Sequence, residues 1–585
     1  MTAAKDSFHL ACLLLILSTM MPSLAYAFIY QQQSFNITQT IKKAWYDRNW
    51  QYRKAITILG SKVSDPNTHS FDATGGYILI GDGTPNWGST RGTISFWIKW
   101  DTVGGRPWGQ HDNMEIRFSG SRLVLDWGAT GSLTSSTTFT AGKWYFIAVV
   151  WNENTDKLYL YVGDENTSPA LDASNNAWRS TVSNQGVTQN NFMASKGGVG
   201  RTDGKGDELR YWDIDRTIEQ IQSDYKTELT GTEANLRSYF KLNNNFDDIG
   251  VNNNDGSGVG SYQFSTSVPI MDTYLADFPV LISIIDSDLA SDAQDDGDDI
   301  LFTSSDKKTK LSHEIEAFNG QTGQLIAWVR IPKLFANNDT IIYMYYGNPT
   351  ASNQQDAVNV WDSNYVGVWH FKETVGGTSA IKDSKGVNHG TDSGGPTLGV
   401  AGKIGNAIQF DGVDDCVIVP DHPSLHLGSG LTIEAWINID IWGNWKDIVF
   451  KGGGAGDNSD YQFALVSDGL AWDGTYNGNW RAKYFQTSQD TGTWIHVAVT
   501  HDTFTVKCYR DGAEISSQPD AGAIYESSYE LGISKEGAAN TGYLHGKIDE
   551  LRISKTPRSR PWIETEYNNQ NNPSSFYNIG LEETH

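Results

Sequence analysis

The chain of 585 residues is too long for a single hydrophobic core and implies about three or four domains. Its 59 glycines, 12 % aromatic residues and only 19 % charged residues suit β-sandwiches with glycine turns, and exclude a helical bundle or a disordered chain. A formal net charge of −25 argues against nucleic acid or an anionic membrane as a partner, and is compatible with cations such as calcium.

Residues 1–27 read as a secretory signal, with Lys5 at the start, the apolar run Leu10–Leu17, and the small-x-small site Ala25-Tyr26-Ala27. The run is short for a membrane span, and the polar stretch Asn568–His585 carries no stop-transfer or lipid signal. The expected product is secreted or displayed at a cell surface, with no transmembrane anchor. Removal of the leader takes Cys12 and leaves Cys416 and Cys508, which are either a candidate disulfide or two small buried residues. Asn36, Asn166 and Asn338 open N-x-S/T sequons.

Within residues 28–44, Phe35–Ile41 alternates as a lone strand that needs a sheet to join. Trp45–Asp65 leads into the strand Ala55–Leu59 and then stops without partner strands. From Phe71 a new pattern begins: GGYILIGDG (75–83), GTISFWIKW (92–100), MEIRF (114–118) and RLVLDW (122–127). The hairpin WYFIAVVWNENTDKLYLYVGDE (144–165) follows, then GDELRYWD (206–213), a helical patch over Thr217–Glu228 and the strand LRSYFKL (236–242). Residues 272–362 form another strand-rich block, with DFPVLISI, DDGDDILFTS, LSHEIEAF, LIAWVRIP and TIIYMYYGNP separated by Asp, Gly, Asn and Pro turns.

The first pattern then recurs. DCVIVPDH (415–422), LTIEAWINI (431–439), the hairpin WIHVAVTHDTFTVKCYRDGAE (494–514) and GKIDELRIS (546–554) repeat it in order. YVGVWHF (365–371), the counterpart of LRSYFKL, precedes its module rather than ending it, which reads as a permutation of the terminal strand. The predicted fold is all-β: two jelly-roll sandwiches plus one further β-sandwich-type domain, with little helix.

These motifs carry two resemblances. VGVWHF, GKIGNAIQFDGVDD (402–415), LTIEAWINI, WIHVAVTHD, YRDG and GKIDELRIS resemble the laminin-G-like jelly roll of the concanavalin A/pentraxin superfamily, and the first module carries looser versions. The block from DFPVLISI to IYMYYGNPTASNQ resembles an extracellular domain of unknown function found beside such jelly rolls. In that family an opening like WQYRKAITI (50–58) runs directly into a strand like FPVL (278–281). The resemblance therefore implies one discontinuous domain (45–66 and 270–362) interrupted by the first jelly roll (67–269, inserted and permuted). The second jelly roll spans 363–556 and a C-terminal tail spans 557–585.

The superfamily includes glycoside hydrolases with two Glu and an Asp on alternate residues of one strand, and no such stretch occurs here. Glu314-Ile315-Glu316 is the nearest approach and reads as a solvated strand face. Asp549-Glu550 and Asp207-Glu208 are adjacent, so they are expected on opposite faces as strand-end structure. His370, His389, His496, His501 and His545 lack a Cys or second His at metal spacing and read as satisfied histidines. DDGDD (295–299) is either a structural turn or a weak metal site.

Pentraxin-like relatives hold calcium through an Asp-Asn pair and acidic residues of a later loop. The resemblance implies Asp112, Asn113, Asp457, Asn458 and Glu536 as metal candidates, although Ser534-Lys535-Glu536 departs from the relatives' Glu-Gln-Asp. Trp442, Trp445, Trp472 and Trp480 fall among Gly, Asn and Asp and are the ligand-binding candidates, since flat rings beside amides and carboxylates stack on sugars; the alternative is that some of them plug the sandwich ends. The expected function is a secreted or cell-surface, non-catalytic binding or adhesion protein for glycans or surface-protein ligands. A structural subunit of a surface coat, filament or appendage, with self-association, is the alternative, and a glycoside hydrolase the third.

Overall fold

A computed structural model describes residues 45–585 except 66–68, 81–89, 112–113, 128–131, 176–189, 195–197, 230, 252–253, 270, 272, 454–458, 477–478 and 537–540. The leader, the strand Phe35–Ile41 and sequon Asn36 lie outside the described residues. Almost all regular structure is antiparallel strand, arranged in six sheets. Among the described residues no helix is long and apolar enough to cross a membrane.

Each jelly roll is an eight-stranded sheet facing a seven-stranded one, and the two modules share one strand order. Alternation explains the layering. In Leu431–Ile441, Ile433, Ala435, Ile437 and Ile439 point into the core formed with Phe463, Leu465 and Trp472 of the facing sheet. The hairpin Trp494–His501/Thr505–Arg510 takes its place in the eight-stranded sheet, with Val499 opposite Cys508. Its outer turn has Asp511 at φ 49° and Gly512 at φ 77° between the paired Arg510 and Ala513, the left-handed pair that a two-residue type I′ connection requires. Tyr365–Trp369 pairs with His545–Ser554, Trp369 opposite Leu551. Leu236–Phe240 pairs equivalently with Asp203–Trp212, Phe240 opposite Leu209. The same sheet position is thus filled from before one module and from the end of the other.

The remaining domain is built from a six-stranded sheet and a three-stranded sheet. Tyr52–Ile58 pairs residue by residue with Thr340–Tyr346, from Tyr52 opposite Tyr346 to Ile58 opposite Thr340, which supplies the partner that this strand lacked in sequence. Tyr274–Ile285, Gln324–Phe335 and His313–Asn319 form the smaller sheet, and Ile56, Phe278, Val280, Val329 and Met344 fill the space between the two. Residues 557–585, expected as a tail, are structure. They fold into the helices Arg560–Asn571 and Pro573–Phe576, and the strand Tyr577–Ile579 pairs with Tyr52–Ile58. In DDGDD, Asp299 is fully buried and accepts the N–H groups of Gln294, Gly347 and Asn348, the work of a structural turn.

The three-stranded sheet packs against the eight-stranded sheet of the second module: Tyr365, Val368, Ala498 and Tyr509 belong to the same apolar cluster as Val280 and Trp328. This contact corrects two expectations. Glu314 and Glu316 are buried rather than solvated, because the second module covers their strand; Trp361 Nε1 donates to Glu314 at 3.1 Å and Trp328 Nε1 to Glu316 at 3.0 Å. Asp549 and Glu550 do not simply alternate. Glu550 sits at φ 51°, and pairing jumps from Trp436–Asp549 to Glu434–Arg552, a bulge that leaves both carboxylates buried. Glu208 repeats this device at φ 53° and pairs with Arg210. Burial, and then the Glu550 carboxylate, push Glu316 up to about 8.

Candidate functional site

The structure separates the four predicted tryptophans. Trp472 is fully buried, donates Nε1 to Asp520 at 3.2 Å and stacks on His501 at 5.7 Å, so it plugs the sandwich interior and is not available to a ligand. Trp442 is half-buried against the core and donates its indole N–H to Asp490 O at 2.9 Å. Trp445 is half-buried at φ 55° and meets Tyr484 edge-on with ring centroids 6.0 Å apart. Trp480 pairs with Thr475 through its backbone, and its side chain lies outside the described residues.

Of the metal candidates, Asp112, Asn113, Asp457 and Asn458 lie outside the described residues. Glu536 is half-buried and accepts from Thr541 Oγ1 at 2.6 Å. Val449 pairs with Ile533 in antiparallel sense, so the chain beyond Ile533 runs towards Asp447. Gly452, which residues 457 and 458 follow in sequence, is at the opposite end of the strand. The candidate bridge is not formed: Cys416 and Cys508 are both free and buried, on strands of opposite sheets.

Strand parity locates a site that the sequence reading passed over. In Ser459–Val466 the core takes Tyr461, Phe463 and Leu465; in Gly469–Tyr476 it takes Leu470 and Trp472; in Asn479–Gln486 it takes Phe485. Gln462, Ala464, Ala471, Asp473, Ala482 and Tyr484 therefore share the outward face of the seven-stranded sheet. Register lines them up. One row runs Asp447–Ala464–Ala471–Tyr484 and the next Phe450–Gln462–Asp473–Ala482, each residue directly opposite its neighbour.

The two alanines decide the shape. Asp447 and Tyr484 are three strand spacings apart, about 14 Å, and the two alanines between them are fully buried. Trp445 reaches across this gap to Tyr484, giving an aromatic platform at the sheet edge. Tyr484 is 55 % exposed. Beneath lies a sealed polar layer. Asp447 is fully buried, takes the Gln462 amide on Oδ1 and has no hydrogen-bond partner on Oδ2. Burial, with the carboxylates of Glu536 and Asp473 adding to it, holds Asp447 well above the usual carboxylate range.

The first module is different at the same positions. Ile116 and Leu125 stand opposite each other in its core as Phe463 and Trp472 do in the second. Glu115–Asp126 thus matches Gln462–Asp473, and Arg117–Val124 matches Ala464–Ala471. Arg117 fills the outward face and is ion-paired with Asp126, while Arg106 lies 3.6 Å from Glu115. The alternation in YQFALVSDGLAWDG carried the signal for the alanine floor; the reach of Trp445 to Tyr484, 39 residues away, did not show in sequence.

Comparison with known proteins matches the family described as the concanavalin A-like lectin/glucanases superfamily to residues 72–222 and 411–564, together just over half of the chain. Residues 296–382 match a domain of unknown function, DUF2341. No curated protein matches the chain. Similar solved structures include the binding domain of Paraclostridial Mosquitocidal Protein 1, with 19 % identity and TM-score 0.29 over 35 % of this chain and 52 % of that one. Domain 4 of AbnA, a GH43 extracellular arabinanase from Geobacillus stearothermophilus in complex with arabinotriose, has 21 % identity and TM-score 0.29 over 35 % of this chain and 98 % of that one. The receptor binding domain of a botulinum neurotoxin C/D mosaic serotype has 15 % identity and TM-score 0.30 over 35 % and 51 %. The match spans about half the length of the first and third of these.

Proposed function

The chain belongs to the concanavalin A-like lectin/glucanase superfamily, and we propose that it is a non-catalytic binding protein whose second module takes a glycan on the outward face of its seven-stranded sheet. The observation that carries this reading is the Trp445–Tyr484 platform over Ala464 and Ala471. Aromatic faces stack on the C–H faces of sugar rings, and neighbouring polar groups fix the hydroxyls. Binding is favoured over bond cleavage because Asp447 and Asp473 are 0 % and 1 % exposed, below the platform. The Arg117–Asp126 ion pair on the outward face of the first module supports a structural role for that module. The leader-like residues 1–27 support an exported protein that acts at a cell surface, and the pairing of Tyr52–Ile58 with Thr340–Tyr346 supports a middle domain interrupted by the first module.

A glycan array probed with the full chain, Trp445→Ala and Tyr484→Ala tests the proposal. Binding to a defined set of glycans by the full chain, lost in both variants, is the expected result. Binding by neither the full chain nor the variants, or an unchanged set in the variants, overturns it.

A further inference from the structure

We infer that the buried joint between the middle domain and the second module is a binding site for one divalent transition cation, zinc(II) by its donor set, held by Glu316, His370 and Glu550. These residues come from three segments: the strand His313–Asn319, the residue after the strand Tyr365–Trp369, and the strand His545–Ser554. One donor atom from each lies within 4.8 Å of the other two. His370 Nδ1 is 2.7 Å from Glu550 Oε1 and 3.7 Å from Glu316 Oε2. Donors around a tetrahedral cation with bonds of about 2.0–2.2 Å stand about 3.4 Å apart, so shifts below about 1 Å would open the site. The side chains of His370, Glu316 and Glu550 are 2 %, 0 % and 0 % exposed.

The surroundings are those of a built site. Glu550 and His370 have a second partner on their remaining polar atom, and Glu316 has one on the oxygen that faces His370. Arg552 Nη2 donates to Glu550 Oε2 at 2.7 Å, Trp328 Nε1 donates to Glu316 Oε2 at 3.0 Å, and Glu314 Oε2 lies 3.4 Å from His370 Nε2. A carboxylate behind the distal nitrogen of a ligating imidazole is the usual outer support of such a ligand.

The independent sign of a missing ligand is polar dissatisfaction. Glu316 Oε1 has no hydrogen-bond partner although its side chain is sealed from water. Asp549 Oδ1 also has none, while its Oδ2 takes the Ile404 N–H at 2.9 Å. Buried oxygens of this kind are costly unless something satisfies them. Gly402 and Gly405 make room for these two carboxylates: a Cβ at Gly405 would stand 2.5 Å from Glu316 Oε1, and one at Gly402 2.6 Å from Asp549 Oδ2. A mixed nitrogen–oxygen donor set favours zinc over calcium. The cation would tie the two domains together.

The full chain, produced with zinc in the medium and dialysed against metal-free buffer, is assayed for bound metal by mass spectrometry. About one zinc per chain is expected, with at least a tenfold loss in Glu316→Gln, which keeps the side-chain shape, and no loss in Asp411→Asn, which alters a separate acidic turn. His370→Ala is a second variant with the same expectation. A wild-type chain without stoichiometric metal, both as purified and after refolding with zinc, overturns the inference. So does an unchanged zinc content in Glu316→Gln.

Discussion

The side-chain amide of Asn569 closes the free edge of the strand Tyr274–Ile285: it accepts the Leu281 N–H at 2.7 Å and donates to Leu281 O at 3.1 Å. Two residues further along, the Tyr577 hydroxyl does the same for Ser283, at 2.7 and 3.0 Å. An edge strand normally leaves such groups open to another chain. Here residues from the end of the chain stand in for a neighbouring strand, which makes the C-terminal segment part of the middle domain. Asn569→Ala leaves both Leu281 groups buried and unpaired, and the expected loss is about 2–4 kcal/mol. Urea unfolding measures it; a midpoint equal to wild type would mean that the pairing is incidental.

His313 gives a pH signature. It is fully buried and its ring packs edge-on to Phe302 at 5.3 Å. Burial, and then the Lys310 charge, push it down to about 4. The unfolded chain takes up this proton near pH 6.5 and the folded chain does not, so the stabilising neutral form is fully effective above pH 6.5. Its contribution is lost as pH falls from 6.5 towards 4, after which the two states titrate together. Other buried groups tilt the total in both directions, so the difference from His313→Phe is the informative quantity. Wild type is expected to lose about 3 kcal/mol relative to the variant between pH 6.5 and 4. A pH-independent difference would contradict the assignment.

The contrast between the modules predicts the effect of filling the floor. Ala464→Arg places in the second module the residue type that Arg117 supplies in the first, opposite Ala471 and diagonal to Asp473, as Arg117 is opposite Val124 and ion-paired with Asp126. Because Ala464 is fully buried, the larger side chain must displace the groups packed over it, so the expected variant is folded but less stable than wild type and loses glycan binding at least tenfold. Circular dichroism melts and array signal report the two halves separately. A folded variant with undiminished binding would place the ligand elsewhere.

Much of the fold was legible because these strands alternate cleanly. LTIEAWINI and WIHVAVTHD each declare one buried face, and their recurrence declares the repeat. The same parity also argues against Trp472 as a ligand residue, since it lies two positions from Leu470 in one strand and both enter the core. What escaped sequence reading depends on distant partners. Glu314 and Glu316 look like a wet face until a module more than 50 residues away covers them with His370. Asp549 and Glu550 share a buried layer only because a left-handed residue breaks the alternation. The C-terminal helix looks like a polar tail because four of the six side chains it buries, Thr565, Glu566, Asn569 and Gln570, are polar. The aromatic platform needed register across four strands, which no local pattern contains.

Calorimetric titration of a glycan retained on the array, into the wild-type chain, Trp445→Ala and Arg117→Ala, bears most directly on the claim that the second module holds the recognition face. The account predicts one site per chain, an affinity at least tenfold weaker in Trp445→Ala, and no change in Arg117→Ala. Equal affinity in wild type and Trp445→Ala, or a loss confined to Arg117→Ala, would contradict it.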